Sequence, residues 1–348
     1  MKILIISSCL GSYGGIESFV LALSKYLKSI DGVDVRLRFK KANGFSPTSE
    51  LEKLSEEAGV NYGYVNKLSK ELFREILWSD LVHAQNAPPD VALFCKLLKK
   101  PFVLTIHNWL RRDGSLRSYS WQWASRLARR RWYNSNFVLA TWEPGGAGIG
   151  SSRVPTISHM KGHEISTYLR RGFVFVARWI PNKGLEDLLE AYSRCEFDPR
   201  IWPLHLIGDG PLRDEIHHKI QVARITGVVI HGFVSEAKKM ELISKARWLV
   251  ACSNTREDMG LTPIEARSVG VPCIVTRDGG LPESGGEMAL SCEPGNVEQL
   301  AATLQKAVSM SEEEYEKKSL ISRESLSSYI VPMSFYPQQY TSVLKDAQ

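Results

Sequence analysis

What this sequence lacks narrows it first. Nowhere in its 348 residues do roughly 18 to 20 apolar residues run uninterrupted, as a membrane-spanning helix requires. A helical integral membrane protein is therefore set aside. The opening Met1 to Ser8 enters a strand-like segment at once, so no signal peptide is expected. The six cysteines (Cys9, Cys95, Cys195, Cys252, Cys273 and Cys292) stand far apart, with no C-x-x-C pair and no histidines at metal-ligand spacing. This excludes a zinc module and points to reduced, mostly buried thiols in a cytosolic protein. No repeat of solenoid length is present.

What is there is an ordinary globular composition, 43% hydrophobic and 24% charged. The length exceeds the roughly 250 to 300 residues that one core supports, so two domains are expected. A net charge of +6 suits anionic partners but does not choose among nucleotide, lipid and nucleic acid.

In the first half, the apolar runs KILIIS, VDVRLRF, DLVHA, PFVLTIH and NFVLAT alternate with helical patterns, including a long one before NFVLAT. That rhythm predicts a parallel sheet covered by helices. The Gly-rich stretch 143–153 breaks it and reads as a linker. The rhythm restarts at GFVFVAR and continues through WPLHLIG, GVVIHGF, RWLVAC and PCIVT, which predicts a second doubly wound unit. Helical patterns at 298–310 and 312–328 and a last one through Tyr340 close the chain. In such sheets ligands bind beyond the carboxyl ends of the strands, where loops lead into helix N-termini.

The strongest motif, SNTREDMGLTPIEARSVGVPCIV (Ser253 to Val275), follows a strand and starts a helix near Thr262 and Pro263. Thr262 and Glu265 fit a capping box and Pro263 suits a first helical turn, so this helix start suits a phosphate. Glu257 in the loop and Glu265 in the first turn can reach two parts of one ligand. Two acids at this spacing are common in themselves; the surrounding residues carry the signal. A second motif, VARWIPNKG, presents Arg178 and Lys183 between a strand and a helix. LIGDGPLRDEI places Gly208 and Gly210 in a tight turn, VIHGFVS places Gly232 and Phe233 after a strand, and DGGLPE (Asp278 to Glu283) reads as a structural turn. In the first half Gly11, Gly14 and Gly15 precede a helix without the G-x-G-x-x-G order, yet a Gly-Gly pair there lets N–H groups approach a phosphate. Glu17 is expected to be solvated or to pair with the helix dipole. His107 closes PFVLTIH; His83 and His231 read as structural.

Gly260, Leu261, Glu265, Ala266, Gly270, Pro272 and Val275 together resemble the donor-site signature of retaining glycosyltransferases of the GT-B fold, family 4. The resemblance covers roughly residues 1–304 and is sharper in the second half. It implies an α/β fold of two Rossmann-like doubly wound domains facing a deep interdomain cleft. Residues 1–160 would form the acceptor side and 161–328 the donor side, with 329–348 returning as a helix onto the first domain. By the same resemblance Glu257 bonds hydroxyls of the donor sugar, Glu265 bonds the ribose, and His107 lies beside the reacting sugar. Arg178 and Lys183 stabilise the leaving diphosphate, as two fixed cations can without a metal. Met259, Gly260, Leu261, Thr262, Gly208, Gly210, Gly232, Phe233, Gly14 and Gly15 complete the donor site. Asp258 and Met259 stand where the family has Gly-Phe, Ala177 where it has Gly, and Asn108 where it has Asp or Gly. The family's usual run between the domains is replaced here by TISHMKGHEIS.

From Leu110 to Tyr133 the chain carries seven arginines, one aspartate and three tryptophans. That mixture suits an anionic membrane surface at the cytoplasmic leaflet, where rings sit at headgroup depth. The competing reading is a solvated helix face with core tryptophans. No nucleic-acid motif accompanies the charge, so no nucleic acid is expected. The expected function is metal-independent, cofactor-free transfer from a UDP-, GDP- or ADP-sugar to a glycan or lipid-linked acceptor. This would serve cell-surface polysaccharide or glycoconjugate synthesis in the cytoplasm or peripherally at the membrane. A nucleotide-sugar epimerase, a phosphorylase or a nucleotide-binding scaffold on the same fold is the alternative.

Overall fold

Alternating apolar runs and amphipathic segments resolve into two parallel α/β units in the computed structural model, which describes residues 1–157, 170–327 and 329–347. Unit 1 comprises Met1–His159 and Ile330–Gln348, and unit 2 comprises Met160–Tyr329. The expected domain junction and most of the TISHMKGHEIS run lie outside the described residues.

Unit 1 is built on β1 (Lys2–Cys9), β2 (Asp34–Lys41), β3 (Asn61–Val65), β4 (Leu81–Gln85), β5 (Phe102–Ile106), β6 (Arg130–Tyr133) and β7 (Ser151–Arg153). These strands form one sheet in the order β3-β2-β1-β4-β5-β6-β7, with every neighbouring pair parallel. The connecting helices are α1 (Gly15–Lys28), α2 (Ser49–Glu57), α3 (Lys70–Trp78), α4 (Pro89–Leu97), α5 (Leu116–Arg126) and α6 (Asn136–Trp142). Strands β4 and β5 are buried along their whole length, as expected of central strands in a sheet covered on both faces, and their polar residues His83, Gln85 and Thr105 are hydrogen-bonded to one another or to neighbouring side chains. Thr48, Ser69, Ser115 and Ser135 cap α2, α3, α5 and α6 by accepting a first-turn N–H.

Two local expectations are corrected. NFVLAT is not a strand: it lies in α6, begun by the Ser135 cap. The neighbouring strand is RRWY, whose Trp132 and Tyr133 are buried. A short apolar run does not by itself distinguish strand from helix, and here the cap and the sheet decide. The stretch 143–153 is more than a linker, because its last three residues form β7 beside β6.

Unit 2 contains β8 (Phe173–Val176), β9 (Leu204–Ile207), β10 (Val228–Gly232), β11 (Trp248–Ala251), β12 (Cys273–Thr276) and β13 (Leu290–Cys292). The sheet order is β10-β9-β8-β11-β12-β13, again all parallel. Its helices are α7 (Leu185–Ser193), α8 (Arg213–Val222), α9 (Glu236–Lys245), α10 (Leu261–Ser268), α11 (Leu281–Gly285), α12 (Val297–Val308) and α13 (Glu312–Glu324). The chain then returns to unit 1 as α14 (Phe335–Lys345). Tyr336 and Tyr340 of α14 are fully buried in the core that also holds Phe19 and Trp132. His83 lies between Tyr340 Oη, 2.7 Å from Nδ1, and Thr105 Oγ1, 2.7 Å from Nε2.

Strand order reverses direction between β1 and β4 in unit 1 and between β8 and β11 in unit 2. At such switch points the loops diverge to opposite faces and leave a crevice. Among the described residues no helix is long and apolar enough to cross a membrane.

Candidate functional site

In unit 2 the two strongest sequence motifs leave the two strands that flank the switch point. VARWIPNKG follows β8, and Ser253 to Gly260 follows β11. After β8 the chain makes a single turn of 3-10 helix, Pro181–Lys183, and enters α7 through Gly184 at φ 71°. A Cβ there would sit 2.0 Å from Cys252 O, so this glycine lets the two loops touch backbone to backbone. Asn254 N donates to Asn182 O at 3.1 Å and joins them again.

This contact brings Lys183 and Glu257 together as an ion pair, Nζ against Oε2, with side chains 21% and 20% exposed. Ser253 Oγ donates to the same Oε2 at 3.0 Å. Arg178 stands exposed at the start of the loop, with no ion pair among the described residues. The turn after β9 grips the next residue: Trp179 N donates to Asp209 O at 2.9 Å, and Leu212 N to Trp179 O at 3.1 Å. Gly208 and Gly210 permit that grip, since a Cβ would meet Ala177 O at 1.9 Å or Trp179 O at 2.5 Å.

The loop bearing Glu257 is moulded from behind by the DGG run. The Asp278 carboxylate, 8% exposed, accepts Arg256 N at 2.7 Å and Glu257 N at 2.8 Å, while Gly280 N donates to Glu257 O at 2.7 Å. Arg256 is held in the left-handed region at φ 41°, a conformation the double clamp supports.

Glu265 is placed differently from the sequence expectation. Helix α10 starts at Leu261 behind Gly260 at φ 79°, with no side-chain cap, so Thr262 lies inside the first turn and forms no capping box. Glu265 Oε1 instead accepts from Lys239 Nζ of α9 at 2.8 Å. Burial pulls the Lys239 ammonium down, but Glu265 and Glu236 outweigh it and its pKa is raised. Leu261 is half-buried beside Thr262, and Met259 is buried beneath the loop. Gly232, at φ 67°, ends β10, and Phe233 beyond it is 76% exposed. His231 is stacked on His205 with ring nitrogens 2.9 Å apart; burial lowers the pKa of both.

In unit 1, His107 follows β5 and is almost fully buried. Nε2 lies 2.8 Å from Gln85 Oε1, which makes it the protonated nitrogen, and burial depresses the ring's pKa to about 3. Asn86 Oδ1 accepts His107 N at 3.0 Å, and Asn134 Nδ2 donates to His107 O at 3.0 Å. Gly14 is the extended N-cap of α1 and Gly15 its first residue. Glu17 is not simply solvated. It turns back to the Gly14 backbone and the Cys9 thiol, with burial raising its pKa. Among the described residues no three His, Cys, Asp or Glu side chains are grouped as a metal ion needs.

Residues 170–323 match the family model described as glycosyl transferases group 1, and residues 13–148 match the model described as glycosyltransferase family 4. Together these cover well over half of the chain. The chain belongs to the GT-B glycosyltransferases. Its relatives in that family include the 2-deoxystreptamine N-acetyl-D-glucosaminyltransferase of Niallia circulans, 30% identical over 48% of this chain and 43% of the relative. The Escherichia coli O-antigen chain mannosyltransferase C is 31% identical over 29% of this chain and 26% of the relative. The chain thus aligns with less than half the length of these curated relatives. Among solved structures it shares its fold with Anabaena HepE in complex with UDP and glucose, at TM-score 0.77, 18% identity, and 99% and 100% coverage of the two chains. A Rickettsia africae glycosyltransferase matches equally, at TM-score 0.77, 18% identity, and 99% and 98% coverage.

Within this GT-B chain the sequence reading missed the residues that hold the named ones in place. Asp278 received no role, although an acid opening a Gly-Gly turn after a strand is a visible signal for a backbone clamp. Gln85, Asn86 and Asn134 also went unnoticed. Each ends or follows a strand, and amides at strand ends are the one signal that could have found them.

Proposed function

We propose that this GT-B chain is a retaining glycosyltransferase that moves a sugar from a nucleotide-sugar donor to a glycan or lipid-linked acceptor. It would use neither metal nor cofactor, in cell-surface polysaccharide or glycoconjugate synthesis at the cytoplasmic face of the membrane. The observation that carries the reading is the Lys183–Glu257 pair at the switch point of unit 2, with exposed Arg178 in the same loop as Lys183. Cations there suit the charge that grows on a departing diphosphate, and the carboxylate suits sugar hydroxyls. Glu265 takes the ribose, while the turns at Gly208–Gly210 and Gly232–Phe233 border the nucleotide. Gly260, Leu261 and Thr262 line the sugar side, over the buried Met259.

On the same reading unit 1 takes the acceptor role, with His107, Gly14 and Gly15 as its ligand-contacting residues. A neutral, buried His107 positions by hydrogen bonding and does not act as a base at neutral pH. Catalysis then rests on orientation and diphosphate stabilisation, with attack on the face from which the diphosphate departs. The UDP bound by HepE supports a UDP-sugar as the first donor to test. The membrane reading is supported by α5, which exposes Leu116, Tyr119 and Trp123 among arginines, although Trp132 of the same segment is core.

A thermal-shift screen against UDP, GDP, ADP and their sugars selects the donor. Product formation is then compared among wild type, Lys183→Ala and Glu257→Ala. Each variant is expected to lose about 100-fold or more in transfer with its fold intact. Normal transfer by both sinks the assignment, and isomerisation of donor incubated alone would favour an epimerase.

A further inference from the structure

The basic segment of unit 1 borders a cavity of about 500 Å³ whose lining includes Arg112, Gln122, Arg126, Arg131, Tyr133 and Glu143. Its charges do not balance. Arg131 and Glu143 neutralise each other, Nε to Oε1 at 2.9 Å. Burial pushes the Glu143 carboxyl up, but hydrogen bonds from Gly148 N, Ser151, Tyr133 and Arg131 prevail and hold its pKa at about 2. Arg131 also donates to Ser151 Oγ at 2.9 Å and Ile149 O at 3.1 Å, which fixes it as wall.

Two cations remain. Arg112 donates through Nε to Thr141 O at 3.2 Å and through Nη2 to Trp142 O at 3.0 Å, so the last carbonyls of α6 hold it with its charge unopposed. The Arg126 side chain, at the end of α5, makes no ion pair or hydrogen bond among the described residues. Two guanidinium groups facing one cavity without a carboxylate of their own suit a phosphate, which accepts paired N–H donors.

Arg126, which lines the cavity, belongs to the helix that carries an exposed apolar stripe. Leu116, Tyr119 and Trp123, at 88%, 62% and 37% exposure, follow i, i+3, i+7 spacing, and Arg126 is the next residue along that row. Helix α4 packs against α5 and adds exposed Leu93 and Leu97. A phosphate held by Arg126 can therefore carry acyl chains along this stripe.

We propose that this cavity is a binding site for a phosphate ester, supplied as the headgroup of an anionic lipid whose chains lie on the α5 stripe. The lipid source rests on the membrane reading above; the site itself is independent of the donor reading. Isothermal titration of the full chain uses two probes, glycerol 3-phosphate and dihexanoyl phosphatidylglycerol below its micelle concentration. Each is run on wild type, Arg126→Gln, Arg129→Gln and Arg178→Ala. Arg129 is an exposed arginine outside the lining and controls for net charge.

One saturable site is expected, weakened about tenfold or more by Arg126→Gln and less than about twofold by Arg129→Gln or Arg178→Ala. Preference for the lipid supports the headgroup source, whereas equal binding of glycerol 3-phosphate would overturn the placement of acyl chains on the α5 stripe. The absence of a saturable site, equal losses in Arg126→Gln and Arg129→Gln, or a loss produced by Arg178→Ala would overturn the proposal. Failure of the donor reading would appear instead as unchanged transfer in Lys183→Ala.

Discussion

Gly279→Ala tests whether Glu257 owes its position to the turn behind it. The new Cβ would lie 2.0 Å from Glu257 O and 2.8 Å from Glu257 N, where contacts under 3.0 Å essentially never occur. Both are backbone atoms, so no side chain can rotate away, and the Glu257 backbone must retreat by about 1 Å. A misplacement of that size in a positioned group costs about 100-fold in rate, or about 2.7 kcal/mol of transition-state stabilisation. Alanine at φ 53° also carries a left-handed penalty of about 1–2 kcal/mol, which lowers stability wherever it occurs. Gly295→Ala separates the two effects: Gly295 is left-handed at φ 71° but has nothing within 4 Å of its Cβ position. Steady-state kcat/KM for sugar transfer and thermal midpoints are measured for both variants. Gly295→Ala is expected to lose stability and keep its kcat/KM within about twofold, while Gly279→Ala loses about 100-fold. Equal midpoint losses with unchanged kcat/KM in both would refute the claim that the DGG turn sets Glu257.

Two further predictions concern unit 1. Burial keeps His83 and His107 neutral, with pKa lowered from 6.5 to about 3 in each. Between those values the unfolded chain binds protons that the native state refuses, so stability falls as pH drops through that window, by about 1.4 kcal/mol per pH unit for each histidine. Urea midpoints at pH 7, 6 and 5 should show a combined slope of roughly 2.7 kcal/mol per unit on the acid side, and a flat profile would contradict two neutral rings. Tyr340→Phe removes the 2.7 Å bond to His83 and leaves a buried ring nitrogen without a partner. It should cost about 1–3 kcal/mol in urea unfolding, and an unchanged midpoint would show that the bond contributes nothing.

Much of this was legible in the sequence, and the failures have physical causes. Period and apolar runs announced the parallel sheets, because strands buried on both faces are predominantly apolar. Glycines announced the junctions, since only they admit carbonyls at the distances found around Gly184 and Gly279. The strand RRWY was hidden because its two arginines, ion-paired to Asp346 and Glu143 in the structure, mask in the sequence the two aromatic residues that fill the core. The Glu265–Lys239 pair was equally hidden. Its partners lie 26 residues apart on different helices, and only the packing of α10 against α9 brings them together. Local rules proposed a capping box for Thr262, but the left-handed Gly260 moved the helix start by one residue. Clamps such as Asp278 act on backbone atoms, which leave no trace in side-chain spacing.

The return of α14 bears on the order in which the molecule can be completed. Synthesis proceeds from the N-terminus, and a nascent chain tends to fold domain by domain as it emerges. Unit 1 cannot close on that schedule, because Tyr336 and Tyr340, which cover His83, Phe19 and Trp132, are made only after all of unit 2. Until then the first sheet waits with an aromatic hollow open to solvent, a surface that chaperones or other nascent chains can bind. A ribosome stalled anywhere before residue 336 therefore displays a half-built first unit, whatever the state of the second.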